Sequence, residues 1–268
     1  MREKPKAVTS PSVLERIKNF RLIDDVFMTK CFEGNLECTE LVLRIVMERP
    51  DLVVRSVKVQ SPYKNLQGRS LTLDIDATDN KGHRFDIEVQ RADSGASPRR
   101  ARYHASVMDA NTLQAQENFE SLPELYVIFI TEHDVLGGGL PLYHIDRCIR
   151  EMKTPFDDGE HFLFVNGECR DESPLGRLMH DFFCTNPDDM HYAPLRERAR
   201  YFKEDEKGVT SMSSVVDEIR REEREIASEE FAIRLLEMGK LSLEEIARAA
   251  SLPLEAIQRL ADANKQFA

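Results

Sequence analysis

Two short runs hold the acids that could do chemistry. In Leu73-Asp74-Ile75-Asp76 and in Phe85-Asp86-Ile87-Glu88-Val89-Gln90, polar residues alternate with apolar ones, the period of a strand whose side chains point to its two faces in turn. Between them lies Asp79-Asn80-Lys81-Gly82, a set of turn formers in which Gly82 is free to take positive φ, so a hairpin is expected. The acids of both strands and the Gln90 amide then share one face. Carboxylates on neighbouring strands make an oxygen-rich site suited to a hard divalent cation, Mg2+ or Mn2+, which takes one or two carboxylates together with waters and a substrate phosphate. The chemistry this suggests is phosphodiester hydrolysis. Asp76 and Asp86 share the face and read chiefly as exposed strand acids, with a role as spare ligands the alternative.

The elements that must hold this hairpin can be read on either side of it. Leu14, Ile17, Phe20, Ile23 and Phe27 recur at three- and four-residue steps, which predicts one helix from Leu14 to Phe32, ended by Gly34. A second helix is expected over Thr39–Arg49, with Thr39 as N-cap and Pro50 as its stop. Strands follow at Leu52–Gln60, Ser70–Thr78 and His83–Gln90. After a Gly/Ser/Pro loop comes a helix over Arg99–Asn118. The apolar run Leu125–Thr131 fits a strand covered on both faces. Shorter strands are expected at Leu142–Ile145 and His161–Val165. From Leu175 onward the pattern is helical, with a charge-laced helix over Ser213–Met238 capped by Gly239. Two short helices end the chain, the first opened by the capping box Ser242-Leu243-Glu244-Glu245. Tyr103, Val107 and Leu113 read as core.

The chain has 268 residues, enough for one large domain or one domain with an appendage. No apolar run approaches the roughly 20 residues of a membrane span. The N-terminus lacks the apolar stretch of a secretion signal, so the expected location is cytoplasmic. Five scattered cysteines without a CxxC pair, and seven dispersed histidines, argue for reduced thiols and against structural zinc. Gly137-Gly138-Gly139 lacks the context of a phosphate loop, so no nucleotide cofactor is expected.

Asp74, followed fourteen residues later by Glu88-Val89-Gln90, resembles the D…(D/E)-x-K signature of the PD-(D/E)XK nuclease superfamily in an E-x-Q form. The order and spacing of Asp25-Val26-Phe27, Leu73-Asp74-Ile75, Gly82, Ile87-Glu88-Val89-Gln90, Arg100-Ala101-Arg102-Tyr103 and the Leu125–Thr131 run are similar to those of the PD-(D/E)XK nuclease family transposases, also called recombination-promoting nucleases. The resemblance implies a restriction-endonuclease-like α/β core, a mixed central sheet flanked by helices. With the periodicities above, it suggests a flexible arm at 1–12, the core at 13–174 and an α-helical extension at 175–268 ending in a short helix pair. It further implies a metal-dependent DNA endonuclease acting in recombination or mobile-element biology. Asp74 and Glu88 would bind Mg2+ or Mn2+, with the Val89 carbonyl as third ligand. Gln90, standing where most of the superfamily has Lys, would align the attacking water, although an amide brings no positive charge to a developing oxyanion. Leu73 replaces a Pro that does no chemistry. An acid from the preceding helices often completes such sites, and Asp25 and Glu40 are the candidates. His83 and His104 flank the site in sequence without a role assigned to them.

A net charge of −11 sits awkwardly with DNA binding, which draws its affinity from Lys and Arg. The charge is uneven, however. Val54–His104 holds ten Lys or Arg against six Asp or Glu, a net of +4 in a chain whose remainder carries −15. Arg99, Arg100 and Arg102 are candidate phosphate contacts. The terminal helix pair has helix-turn-helix proportions but only Arg248 and Arg259 as basic residues in its twenty, so docking or homo-oligomer formation is the expected use. The rival readings are a non-catalytic binding module on the same fold and a nuclease acting on RNA, since phosphate contacts carry no sugar information.

Overall fold

The computed structural model describes residues 11–65, 68–91 and 95–265. Most of the arm expected at 1–12 and the start of the Gly/Ser/Pro loop, at 92–94, lie outside the described residues. The chain divides into two compact units, one of Lys18–Val209, the other of Met1–Ile17 with Thr210–Ala268.

The larger unit is built on a six-stranded mixed sheet in the order β1-β2-β3-β4-β8-β5. Its strands are β1 (Val54–Tyr63), β2 (Leu71–Asp79), β3 (Arg84–Gln90), β4 (Leu125–Thr131), β5 (Leu142–Ile145) and β8 (Glu160–Asn166). Strands β1, β2 and β3 form an antiparallel meander, β3, β4 and β8 run parallel, and β5 closes the far edge antiparallel to β8. Between β5 and β8 a minor ribbon pairs β6 (Cys148–Ile149) with β7 (Thr154–Pro155). Gly82 takes φ +88 in the turn joining β2 and β3, and Pro62 sits on edge strand β1, where a missing N–H is tolerated. The fold is that of a mixed α/β core with flanking helices and a helical C-terminal region, as the sequence indicates.

The connection from β3 to β4 is helix α4 (Pro98–Thr112), opened by Ser97, whose hydroxyl accepts from the N–H of Arg100. It buries Ala101, Ala105 and Met108 against Val127, Phe129 and Phe164 of the sheet. It stops well short of the predicted Asn118. The side chains of Asn111 and Thr112 donate back to the carbonyls of Val107 and Met108, a local competition with the helical ladder that suits a terminus. Helices α2 (Asp25–Phe32) and α3 (Leu36–Val46) pack on β1 and β2, and α5 (Pro174–Phe183) and α6 (Ala193–Glu204) pack on those helices.

The single helix expected over Leu14–Phe32 is two. Helix α1 (Pro11–Asn19) ends before a turn at 20–24, and α2 starts at Asp25. The turn is pinned from outside: the N–H of Ile23 donates to the carbonyl of Phe182 (3.0 Å). Lys203 Nζ donates to the carbonyls of Lys18 (2.9 Å), Phe20 (2.5 Å) and Thr185. The apolar period survives the break in that Ile17 of α1, Ile23 of the turn and Phe27 of α2 are each buried. In α3 the N-cap is Asn35, accepting from the N–H of Cys38 (3.0 Å), and not Thr39, which is buried within the helix.

In the smaller unit Arg16 of α1 pairs with Glu223 (2.8 Å) of α7 (Glu206–Met238). Helices α8 (Leu243–Ala250) and α9 (Leu254–Lys265) bury Ile246, Ala250 and Ile257 with Ala232. The Ser242/Glu245 capping box is present. Among the described residues no helix is long and apolar enough to cross a membrane.

Candidate active site

The β2–β3 ladder runs from Thr78↔Arg84 to Ile75↔Ile87, and at the next step side chains take over. The main-chain N–H of Asp74 donates to Glu88 Oε1 (3.0 Å), and the N–H of Val89 donates to Asp74 Oδ2 (2.9 Å). The two carboxylates are thus built into the hairpin at the point where its strands part. Glu88 is fully buried. Burial, then the neighbouring Glu88 charge, pushes the Asp74 carboxyl up to about 7. Burial, then Asp86, does the same to Glu88, also to about 7. Two acids so placed are poor anions unless a cation joins them.

Asp25 belongs to the same site and Glu40 does not. A small cavity of about 240 Å³ is lined by Ile23, Asp25, Asp74, Val89, Gln90 and Arg91. Asp25 is the first residue of α2, delivered there by the pinned turn at 20–24, and Arg91 ties the end of β3 to that turn through Asp24 (3.0 Å). Glu40 instead accepts from the N–H of Val54 (2.9 Å) and pairs with Arg44 (2.7 Å).

Gln60 was not among the residues singled out from the sequence. It lies on β1 opposite Asp74, between the pairs Val59↔Ile75 and Ser61↔Leu73, with φ +49. Left-handed backbone is uncommon for a residue with a side chain and costs of order 1–3 kcal/mol, a strain that clusters at functional positions. From this conformation its amide donates to Asp25 Oδ1 (3.2 Å), with Thr29 Oγ1 and Asp74 Oδ1 each at 3.4 Å. The residue spans the two acids.

The face toward α4 holds a second layer. Arg100 Nη2 donates to Glu88 Oε2 (2.9 Å), and Arg100 Nε donates to His104 Nε2 (3.2 Å). That bond leaves the imidazole proton on Nδ1, which donates to Asp86 Oδ2 (2.8 Å). Asp86 and His104 are both fully buried, and Asp86 Oδ1 has no partner among the described residues. Burial raises the Asp86 carboxyl well above its usual range and lowers the His104 imidazole. Asp86 is therefore no exposed strand acid. Nor is Asp76, which accepts from Tyr63 Oη (2.8 Å) and pairs with Arg84 (2.9 Å). The strand pattern alone gives both as exposed, because α4 and Tyr63 cover them only in the folded chain. His104 lies one turn after Arg100 on α4, a spacing that could have flagged it.

Gln90 lines the cavity with its Nε2 3.5 Å from Glu88 Oε2. Its amide rests on Gly95, where an added Cβ would lie 2.1 Å from Gln90 Oε1. The three arginines of α4 separate. Arg100 reaches Glu88 and also, with Arg99, Arg69, Ser97 and Tyr103, lines an adjoining open groove of about 590 Å³; Arg102 is exposed and does not line it. Tyr103 is half-buried at the groove, its hydroxyl donating to the carbonyl of Arg69 and accepting from Asn65, and is not core. Val107 is buried.

Asp25 and Asp74 line one cavity and Asp74 is tied to Glu88, carboxylates of the kind a hard divalent ion takes; Glu88 also has a ligand atom within 4.8 Å of ligand atoms of Asp86 and His104. Two adjacent carboxyls, both raised by burial and by a neighbouring acid, supply the reason such an ion would be held. No curated protein and no solved structure matches the chain. Residues 52–166, which run from just before β1 to the last residue of β8, match the family described as PD-(D/E)XK nuclease family transposase. Over that span, which includes the β2–β3 hairpin and α4, the chain is similar to the PD-(D/E)XK nuclease family transposases.

Proposed function

We propose that this chain is a divalent-metal-dependent DNA endonuclease of the recombination or mobile-element kind. The observation that supports the reading best is the crosswise exchange between the half-buried Asp74 and the buried Glu88, made through the N–H groups of Asp74 and Val89. Asp74, Glu88 and the Val89 carbonyl would hold Mg2+ or Mn2+, with Asp25 completing the oxygen set. Such an ion polarises a phosphodiester and lowers the pKa of a water.

The chain's own groups do the remainder. Gln60 fixes Asp25 and Asp74 relative to one another. Gln90, seated on Gly95, presents an amide that accepts from and donates to the attacking water. Arg100 supplies the positive charge that Gln90 lacks, 2.9 Å from Glu88, and the buried His104–Asp86 pair sets its orientation by taking up the Nε–H. Arg69 and Arg99 line the groove that leads away from the site and would hold the phosphates of one strand.

The test is incubation of the full chain with supercoiled plasmid, linear DNA and RNA, each with Mg2+, Mn2+ or EDTA. Cleavage of DNA that needs the metal is expected. Metal-dependent cleavage confined to RNA would change the substrate, and no cleavage of any polymer with any metal would leave a binding module.

A further inference from the structure

Outside the hairpin site, the connection between α5 and α6 brings together two imidazoles and a carboxylate. His180 Nδ1 lies 3.3 Å from Asp181 Oδ1, and the His180 and His191 rings meet edge to face with centroids 4.7 Å apart. One ligand atom from each of His180, Asp181 and His191 lies within 4.8 Å of the other two. Asp181 is fully buried, and its oxygens accept from the N–H groups of His191 (2.8 Å) and Tyr192 (2.9 Å). These two amides fix the carboxylate's direction and leave each oxygen a second lone pair, the outer-shell support that metal-binding carboxylates carry. His180 is half-buried and His191 exposed, so the cluster is open to an ion from solvent. His180 also lies in the last turn of the ten-residue α5, where the helix dipole favours a cation.

We infer that His180, Asp181 and His191 form a binding site for a borderline transition-metal ion, zinc by preference, which clamps the end of α5 to the residues that open α6. Two imidazoles and a carboxylate facing one another bring three ligand atoms within reach of one ion. Nitrogen from two histidines with one carboxylate oxygen is a zinc donor set and a poor one for Mg2+. With Zn–N bonds of about 2.0–2.1 Å, tetrahedral ligands stand roughly 3.3 Å apart, so the present arrangement closes onto an ion through small rotations of the two histidines. Water takes the fourth position. The histidine spacing hid this site, because the two are eleven residues apart and meet only when the chain turns back after α5.

The test uses the full chain carrying Asp74→Asn and Glu88→Gln, so that the hairpin does not compete. Calorimetric titration with Zn2+ is expected to give one ion per chain and to raise the melting temperature, whereas Mg2+ does neither. His191→Ala, at an exposed position, and His180→Ala are each expected to weaken Zn2+ binding by more than the roughly 10–100-fold that loss of an outer-shell partner costs. Their melting temperatures in EDTA should stay near that of the parent. With Co2+ the parent should show the visible absorption of a four-coordinate ion without a thiolate band, and the histidine variants should lose it. Absence of stoichiometric Zn2+ binding, or binding that neither histidine substitution weakens, would overturn the inference.

Discussion

Asp74 and Glu88 hold each other through the backbone: the N–H of Asp74 is bound by the Glu88 carboxylate at 3.0 Å, while the Asp74 carboxylate binds the N–H of the residue after Glu88 at 2.9 Å. These side chains replace ladder bonds that the hairpin gives up where β2 and β3 part. The acids are thereby fixed by the fold before any ion or substrate arrives, the preorganisation that electrostatic catalysis requires.

The raised carboxyls make a pH prediction for the metal-free chain. Asp74 and Glu88 stand at about 7 when folded, against about 4 in an unfolded chain. The folded state then binds more protons, so the pair lowers stability as pH rises from about 4 to about 7 and leaves the full penalty in place above that. Thermal melts in EDTA should show the Asp74→Asn/Glu88→Gln chain gaining on the parent as pH goes from 5 to 8. A constant difference would contradict the assignment.

Gln60 is predicted to trade stability for geometry. Gln60→Gly removes the side-chain penalty of φ +49 and should melt at or above the parent, a gain of up to about 1 kcal/mol after the entropy cost of glycine. It also removes the amide between Asp25 and Asp74, so cleavage should fall by roughly tenfold or more. A variant that is less stable and equally active would show that Gln60 is only a strand residue.

Arg100 is predicted to hold the charge balance of Glu88. Arg100→Ala leaves a buried carboxyl without its 2.9 Å partner and should cost about 1–3 kcal/mol in EDTA. Mg2+ or Mn2+ should restore more stability to this variant than to the parent, because the ion takes over the same compensation. Arg100→Lys should retain more activity than Arg100→Gln. Equal metal-induced shifts in Arg100→Ala and the parent would remove Arg100 from the site.

Gly95→Ala tests the seat of Gln90. The new methyl would meet the end of a flexible side chain 2.1 Å away, so stability should change by less than about 0.5 kcal/mol while Gln90 swings out. Cleavage should fall to the level of Gln90→Ala. Retained activity would show that Gln90 does not position water.

What could be read from the chain before folding was what is local. Alternation in Leu73–Asp76 and Phe85–Gln90 and the turn at Gly82 suffice to set Asp74 beside Glu88, because a hairpin's register follows from its turn. Asp25 and Glu40 could not be separated, since the choice depends on the turn at 20–24, which Lys203 and Phe182 secure from far along the chain. His104 and Asp86 could not be told from surface residues, as their burial depends on how α4 lies on the sheet. Gln60 gave no signal at all: nothing in a strand pattern announces a left-handed residue, and its partners belong to α2 and β2.

The central claim is that Asp74 and Glu88 together enable cleavage, and the most direct test is plasmid cleavage by purified parent, Asp74→Asn and Glu88→Gln side by side in Mg2+ and in Mn2+. Both substitutions keep size and a hydrogen-bonding oxygen, so the variants should fold and bind DNA as the parent does while cleavage is abolished in each. Cleavage at the parent's rate by either variant would contradict the account.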